Sequence, residues 1–575
     1  MLASQKTKIT ELFKNALAAV GAPENTKIVL ERPKQQSHGD IACTVALQCA
    51  KAMKQPPRVI AEKLVEQLRK ETADSEMFSA IEIAGPGFIN LKLAPSLKQD
   101  VVREILKEGP AYGCSDAHTG ESILLEYVSA NPTGPLHLGH ARQGALGDVL
   151  SRLLKSQGWA VTREFYYNDA GNQIEKFAKS LEARYLQIIK GEDAVEFPED
   201  GYHGDDIREL ARAFYDREGE KYLDCDQKTR HDALARFGLD NNIPKMQRDL
   251  ARYGITYDQW FFESSLHESG YVADSVQALT DLGYTYEKDG ALWLNTSRIL
   301  AENLKKAGKS DADIEKLGLK DDVLRRANGF YTYFAADIAY HRNKFAVRGF
   351  DKVINVWGAD HHGHVARLKG AMDALGLDGE HRLDIVLMQL VKLVRDGEVV
   401  RMSKRTGKAI SLTDLLDEIP VDACRYFFNA KPETQMEFDL GLAVREDSEN
   451  PVYYVQYAHA RICTLLKALE AEGYTVPAAG EVDFSLLSGE AEQALIKKIA
   501  AYSQVVRLAA RDYDPSHINR YLTELAGDFH RFYTACRIKG EERPVLLARL
   551  KLADTARSVL KNAMTLIGCT APEKM

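Results

Sequence analysis

The stretch Ile123-Leu124-Leu125-Glu126-Tyr127-Val128-Ser129-Ala130-Asn131-Pro132-Thr133-Gly134-Pro135-Leu136-His137-Leu138-Gly139-His140 decides how the chain is read. Its first six residues form a short apolar run of strand length. Asn131 to Pro135 is a loop, because Pro and Gly continue neither helix nor strand there. Beyond it Ala145, Leu146, Val149, Leu150, Leu153 and Leu154 recur on one helical face, and Gly158 closes that helix. Trp159 to Tyr167 reads as the next strand. Strand, loop, helix, strand is a βαβ unit, and such crossovers build a parallel sheet.

Working outward, Val353-Ile354-Asn355-Val356 resumes the pattern as a buried strand, followed by a helical stretch from Val365 to Leu375 and a strand from Leu383 to Leu390. Val391–Val394 and Val399–Arg401 flank the hairpin signal Asp396-Gly397. Residues about 190–255 are highly charged and read as an insertion of helices and loops. Before the βαβ region lies a small α+β unit, with helices near Lys6–Ala19 and Pro57–Lys70 and strands Ala80–Ala84 and Phe88–Leu93 around the turn Gly85-Pro86-Gly87. From about 450 the chain is all helix, with spans Tyr453–Glu470, Glu490–Asp512, His517–Cys536 and Leu546–Ile567. The expected fold is a multidomain α/β protein: an N-terminal α+β domain over 1–112, a Rossmann-like parallel-sheet domain over 113–432 and a helical domain over 433–575.

A chain of 575 residues exceeds one hydrophobic core and fits roughly three to four domains. Hydrophobic residues make up 45% and charged residues 27%, and no apolar run reaches membrane-spanning length, so a soluble, cytoplasmic protein is expected. The eight cysteines are scattered without a CxxC pair, which speaks against a disulfide framework and a thiolate zinc site. The net charge of −8 does not announce a nucleic-acid partner, but net charge describes the average field and not a local patch.

The chemistry concentrates in two segments. His137-Leu138-Gly139-His140 lies between a strand and a helix start, where N–H groups and the helix dipole favour phosphate; two imidazoles three residues apart can serve one phosphate, and Gly139 leaves room for a nucleotide. Far downstream, Val400-Arg401-Met402-Ser403-Lys404-Arg405-Thr406-Gly407 follows the hairpin, and Lys404 there can meet pyrophosphate oxygens as charge develops. Taken alone, the first is matched evenly by a reading as two ordinary loop histidines, and the second reads as a solvated basic loop. Together they suit in-line attack of a carboxylate on the α-phosphate of ATP, with Mg2+ carried in the ATP complex and no structural zinc.

HLGH followed by MSKR resembles the HIGH and KMSKS signatures of class I aminoacyl-tRNA synthetases, with Arg401 at the first lysine position and Arg405 at the final serine position. Glu126-Tyr127-Val128-Ser129-Ala130-Asn131-Pro132-Thr133-Gly134 and Tyr331-Thr332-Tyr333-Phe334-Ala335-Ala336-Asp337-Ile338-Ala339-Tyr340-His341 are similar to the arginyl-tRNA synthetase segments, and the resemblance runs from Gly39-Asp40-Ile41-Ala42 to the C-terminal Met575. It implies an enzyme that activates L-arginine with ATP and loads it onto tRNA(Arg), acting as a monomer. A guanidinium calls for in-plane carboxylates. On the family pattern Asp337 is that partner, with Tyr333 one turn earlier, Glu263 a second carboxylate, and Glu126 and Asn131 near the α-amino group. His361 is a further candidate beside the arginine. For ATP the resemblance implies Gly139, Gly358, Asp360, Met402, Ser403 and Lys404, with His137, His140 and Lys404 catalytic. For tRNA it implies Phe88, Asn90, Tyr457, Arg461 and Met575. The rival readings are a class I synthetase for another amino acid and a non-catalytic tRNA-binding paralogue. A nucleotide oxidoreductase lacks its GxGxxG, and Walker A is absent because Gly407-Lys408 is followed by Ala409.

Overall fold

A computed structural model describes residues 3–23, 25–31, 33, 38–73, 75, 77–400, 410–432 and 434–575, which form two compact units. One comprises residues 1–114, 446–512 and 517–575; the other comprises 115–445 with the short segment 513–516.

In the first unit, an antiparallel sheet has strand order Leu30–Glu31, Ile41–Cys43, Phe88–Leu93, Phe78–Ala84. Helices Ala3–Ala19, Val45–Met53 and Pro57–Glu71 cover it, burying Phe13, Ile60, Leu64, Ile89 and Leu91 in one core. The C-terminal part is helical. Where periodicity predicts one helix from Glu490 to Asp512, the structure has two, Glu490–Ala500 and Tyr502–Arg511, separated at Ala501. The amphipathic pattern runs across the break without interruption, so spacing alone does not reveal it.

The second unit holds the βαβ region. In chain order its elements are β1 (Ser122–Glu126), α1 (Leu138–Ser156), β2 (Ala160–Tyr167), β3 (Gln259–Phe262), α2 (Tyr333–Arg342), β4 (Lys352–Gly358), α3 (His362–Ala374), β5 (Leu383–Met388), β6 (Val391–Arg395), β7 (Glu398–Val400), α4 (Val421–Asn429) and β8 (Met436–Asp439). The main sheet is parallel throughout, with order β5-β4-β1-β2-β3. Ile123, Leu124 and Leu125 are fully buried, as a central parallel strand with both faces covered requires. The order reverses between β1 and β4, and open α/β sheets bind ligands outside the carboxyl ends of strands at such a point. Helix α1 packs closely on the strand end: a Cβ on Gly147 would sit 2.1 Å from the Tyr127 ring. The 190–255 stretch forms helices Asp205–Glu218 and Gln227–Arg252, which pack with Asn172–Lys190 around Phe177, Phe214 and Phe237. A second, three-stranded sheet pairs β6 with β7 as the expected hairpin and, on its other side, β6 with β8 in parallel.

Candidate active site

Strand β1 stops at Glu126 because the backbone turns over: Val128 and Ser129 both have positive φ, +73° and +41°. A β-branched residue there is a genuine outlier, and such strain clusters at functional sites. Glu126 faces Asn355 of β4 on one side and Glu164 of β2 on the other in strand register, and Glu164 in turn faces Gln259 of β3. Two buried carboxylates on adjacent strands repel unless they are compensated. The compensation comes from one place, a π-helical turn at Asn343–Val347 that continues α2. Lys344, fully buried, donates to Glu126 Oε2 at 2.6 Å and to Asn355 Oδ1 at 3.2 Å. Arg348 pairs with both oxygens of Glu164. Burial drives the Lys344 pKa down, and the adjacent carboxylates oppose that shift.

His341 links this row to α2. Its Nδ1 donates to the Asp337 carbonyl at 2.8 Å, and its Nε2 accepts from Asn355 Nδ2 at 2.6 Å. Those bonds fix a neutral tautomer, and burial holds its pKa well below the ordinary imidazole value.

The HLGH turn is built differently. His137 caps α1: its Nδ1 accepts from the Gly139 N–H at 3.1 Å, while His140 Nδ1 accepts from the His137 N–H at 3.1 Å. The rings stack with centroids 3.6 Å apart, and a Cβ on Gly139 would lie 3.0 Å from the His137 ring. The N–H groups of His137 and Gly139 are therefore taken by the imidazoles. With both Nδ1 atoms accepting, each ring carries its proton on Nε2. Burial lowers the pKa of both, that of His140 to about 3 with help from His137. The turn thus offers two neutral N–H donors at a helix N-terminus.

Tyr333 and Asp337 lie one turn apart on α2. Tyr333 is 49% exposed, and Asp337 is partly exposed. Asp337 Oδ2 accepts from His364 Nε2 at 2.8 Å, and His364 Nδ1 accepts from Arg367 at 3.1 Å. His361 is exposed, beside Asp360 at 3.5 Å and against Trp357. A Cβ on Gly358 would lie 2.4 Å from the Asp360 carboxylate. Glu263 is buried, accepting from the Tyr166 hydroxyl at 2.6 Å, with His267 at 3.3 Å from its other oxygen. Burial raises the Tyr166 hydroxyl pKa well above its ordinary value, and Glu263, Asp337 and Glu126 all add to the shift. Tyr166 therefore hydrogen-bonds one of the three carboxylates that the sequence singled out, and the charges of the other two act on it. Glu126 has both oxygens engaged, by Lys344 and by the Ser129 hydroxyl at 2.8 Å. Asn131 is exposed. Arg401, Met402, Ser403, Lys404 and Arg405 lie outside the described residues; the chain resumes at Ile410, and Ser411 bridges to His137. Among the described residues, no group of three or more His, Cys, Asp or Glu side chains is arranged to hold a metal ion.

The tRNA candidates lie in the first unit. Tyr457, Arg461, Tyr533 and Met575 line a cleft of about 440 Å³, with Arg461 over the Tyr533 ring at 4.3 Å and Tyr453 stacked on Tyr457. Phe88 is exposed, whereas Asn90 on the same strand is buried.

Residues 101–440 match the family model for the class I (R) tRNA synthetase catalytic domain, 7–93 the arginyl tRNA synthetase N terminal domain, and 455–575 the DALR anticodon binding domain. The chain belongs to the class I arginyl-tRNA synthetases. Among arginyl-tRNA synthetases with full-length similarity, arginine–tRNA ligase of Acetivibrio thermocellus is 47% identical, with 99% of each chain covered. That of Ruminiclostridium cellulolyticum is 50% identical over 96% of this chain and 94% of its own. The Thermus thermophilus arginyl-tRNA synthetase structure shares the fold at a TM-score of 0.74 and 20% identity, covering 99% of this chain and 100% of its own. Within this synthetase, sequence reading missed Tyr166, Lys344 and Arg348. Of the three histidines His361, His362 and His364 after β4 it entered His361 as the candidate, whereas His364 is the one bonded to Asp337.

Proposed function

We propose that the chain activates L-arginine with ATP and transfers it to tRNA(Arg), releasing pyrophosphate and then AMP. One observation carries the reading: two neutral, stacked imidazoles cap a helix at the switch point of a parallel sheet, in the same unit as the Asp337 and Glu263 carboxylates, each held by a hydrogen bond. Imidazole N–H donors suit phosphate oxygens whose charge grows as pyrophosphate leaves, and being neutral they need no proton transfer to do so. Lys404 adds charge to the same oxygens. Mg2+ enters on the triphosphate as part of the ATP complex.

Asp337 and Glu263 take the guanidinium, and Tyr333 walls the slot. His364 holds Asp337 and Tyr166 holds Glu263 by hydrogen bonds, and His267, whose pKa Glu263 raises, stands at the other Glu263 oxygen. Glu126 is balanced by Lys344; its spare lone pairs accept from the α-ammonium, beside Asn131. Gly139, Gly358 and Asp360 lie against the nucleotide, with His361 near the substrate. The Tyr457–Arg461 cleft suits an unstacked base, since aromatic faces with an arginine bind single-stranded loops. The first unit is the tRNA-reading part, with Phe88 as an exposed contact. All eight cysteines are free, as in a reducing cytoplasm.

The test is ATP–pyrophosphate exchange with each amino acid, with and without tRNA. Arginine with tRNA is the expected active combination; exchange with lysine or cysteine but not arginine refutes the substrate. Lys404→Ala is expected to slow adenylate formation by about 10²-fold with little change in arginine affinity.

A further inference from the structure

Two buried arginines touch α1 in opposite ways. Arg425 of α4 pairs with Asp148 of α1. Arg142, two residues beyond His140 and fully buried, has no carboxylate partner among the described residues. Its guanidinium is instead spread over main-chain carbonyls. One terminal nitrogen donates to Gln389 O at 2.6 Å and Leu390 O at 3.0 Å. The other donates to Lys431 O at 2.6 Å, Pro432 O at 3.4 Å and Thr434 O at 2.9 Å.

Those carbonyls belong to the approaches to β6, which begins at Val391, and β8, which begins at Met436. The two strands pair in parallel, so their starts lie side by side. A single planar fork spans both starts, a task that the point charge of a lysine does not perform. On its other edge β6 carries β7, which ends at Val400, the residue immediately before Arg401 at the first position of the second signature. The chain beyond that signature is also tied to the segment leading into α1: Leu412 N donates to Leu136 O at 2.8 Å, and Ser411 bridges to His137. The small sheet is thus held to the histidine helix through the Arg142 side chain, while the chain after the signature is held separately at the His137 turn.

We propose that Arg142 is a positioning residue for adenylate formation, fixing the three-stranded β7-β6-β8 sheet at a set distance from the His137–His140 turn. The proposal rests on the reading that both signatures serve one triphosphate. A displacement of about 1 Å in such an arrangement costs on the order of 10²-fold in rate, although the residue touches no substrate. Among the described residues Arg142 makes no hydrogen bond with Asp337, Glu263, Tyr333, Glu126 or Asn131, the residues assigned to arginine, so the expected effect is on rate and not on arginine affinity.

The experiment compares the full-length chain with Arg142→Lys, Arg142→Gln and, as a purely structural control, Arg425→Lys. Single-turnover adenylate formation with tRNA present, arginine KM and thermal unfolding are measured, with rates expressed per folded molecule. The expected result is a loss of about 30- to 100-fold in rate for both Arg142 variants with arginine KM within about threefold, while Arg425→Lys loses stability and keeps its rate. A rate within threefold of the parent in either Arg142 variant overturns the proposal. So does a parallel fall of rate and stability in all three variants, or an arginine KM that rises as much as the rate falls. If the parent chain forms no adenylate with arginine, the functional reading fails first and the proposal with it.

Discussion

The His137–His140 turn and the row of polar residues across β4, β1, β2 and β3 differ in how far their partners lie along the chain. In the turn, every bond that fixes the rings comes from within three residues. In the row, Glu126 depends on Lys344, 218 positions away, and Glu164 on Arg348, 184 away. The turn is assembled as soon as α1 starts; the row exists only once the whole unit is folded. One consequence is that damage to the turn should appear in chemistry and damage to the row in stability.

The largest expected effect tests the row. Lys344→Met leaves Glu126 buried without its cation, a loss of about 3–5 kcal/mol. Urea unfolding measures it, and Glu126→Gln combined with Lys344→Met should recover most of the loss. Unchanged stability in the single variant would break the comparison. Next, His137→Asn keeps an acceptor suited to capping α1, so stability should stay within about 0.5 kcal/mol, while adenylate formation falls by about 10²-fold because the ring N–H is gone. Single-turnover rates and melting curves on one preparation separate the two roles; a matched fall in both would show that the turn is no more than a cap. Asp337→Ala should raise arginine KM by about 10- to 100-fold, the cost of a guanidinium without its partner, with ATP KM little changed; steady-state kinetics decide it.

The smallest effect is in pH dependence. His341 is neutral in the fold because its pKa is held well below 6.5, whereas in the unfolded chain it protonates below about that pH. The unfolded state therefore binds more protons below pH 6.5. The stability tied to His341 is present above that pH and is lost as pH falls, at up to about 1.4 kcal/mol per pH unit for one proton. His341→Gln should flatten the decline of urea midpoints between pH 6.5 and 5 by that proton's share. An unaltered slope would mean that His341 is not the group responsible.

What could be read from the sequence follows the same divide. The β1–α1–β2 unit, the Asp396-Gly397 hairpin and the shared helix face of Tyr333 and Asp337 depend on spacings of a few residues, and the structure has them. Strand β1 ends at Glu126, where the apolar run through Val128 predicts a longer strand, because the left-handed turn at Val128 has no composition signal. The parallel partner β8 is only Met436–Asp439, too short for periodicity to register. Lys344 and Arg348 read as ordinary helix cations, since nothing nearby in sequence announces a carboxylate two hundred residues upstream. Tyr166 was hidden in an aromatic strand, where core packing is the default use of such a residue.

The turn Asn343–Val347 is one residue wider than an α-helical turn, closed by a bond from the Arg348 N–H to the Asn343 carbonyl. Each residue of a regular helix advances about 100° around the axis, so the extra residue sets the direction in which everything after it leaves the helix. Removing any one residue from that turn would keep Glu164 and its arginine in the chain and yet swing the arginine away from the sheet. Length at this spot is therefore under the same physical constraint as residue identity, and a shortened homologous segment would have to recruit a different cation to cover β2.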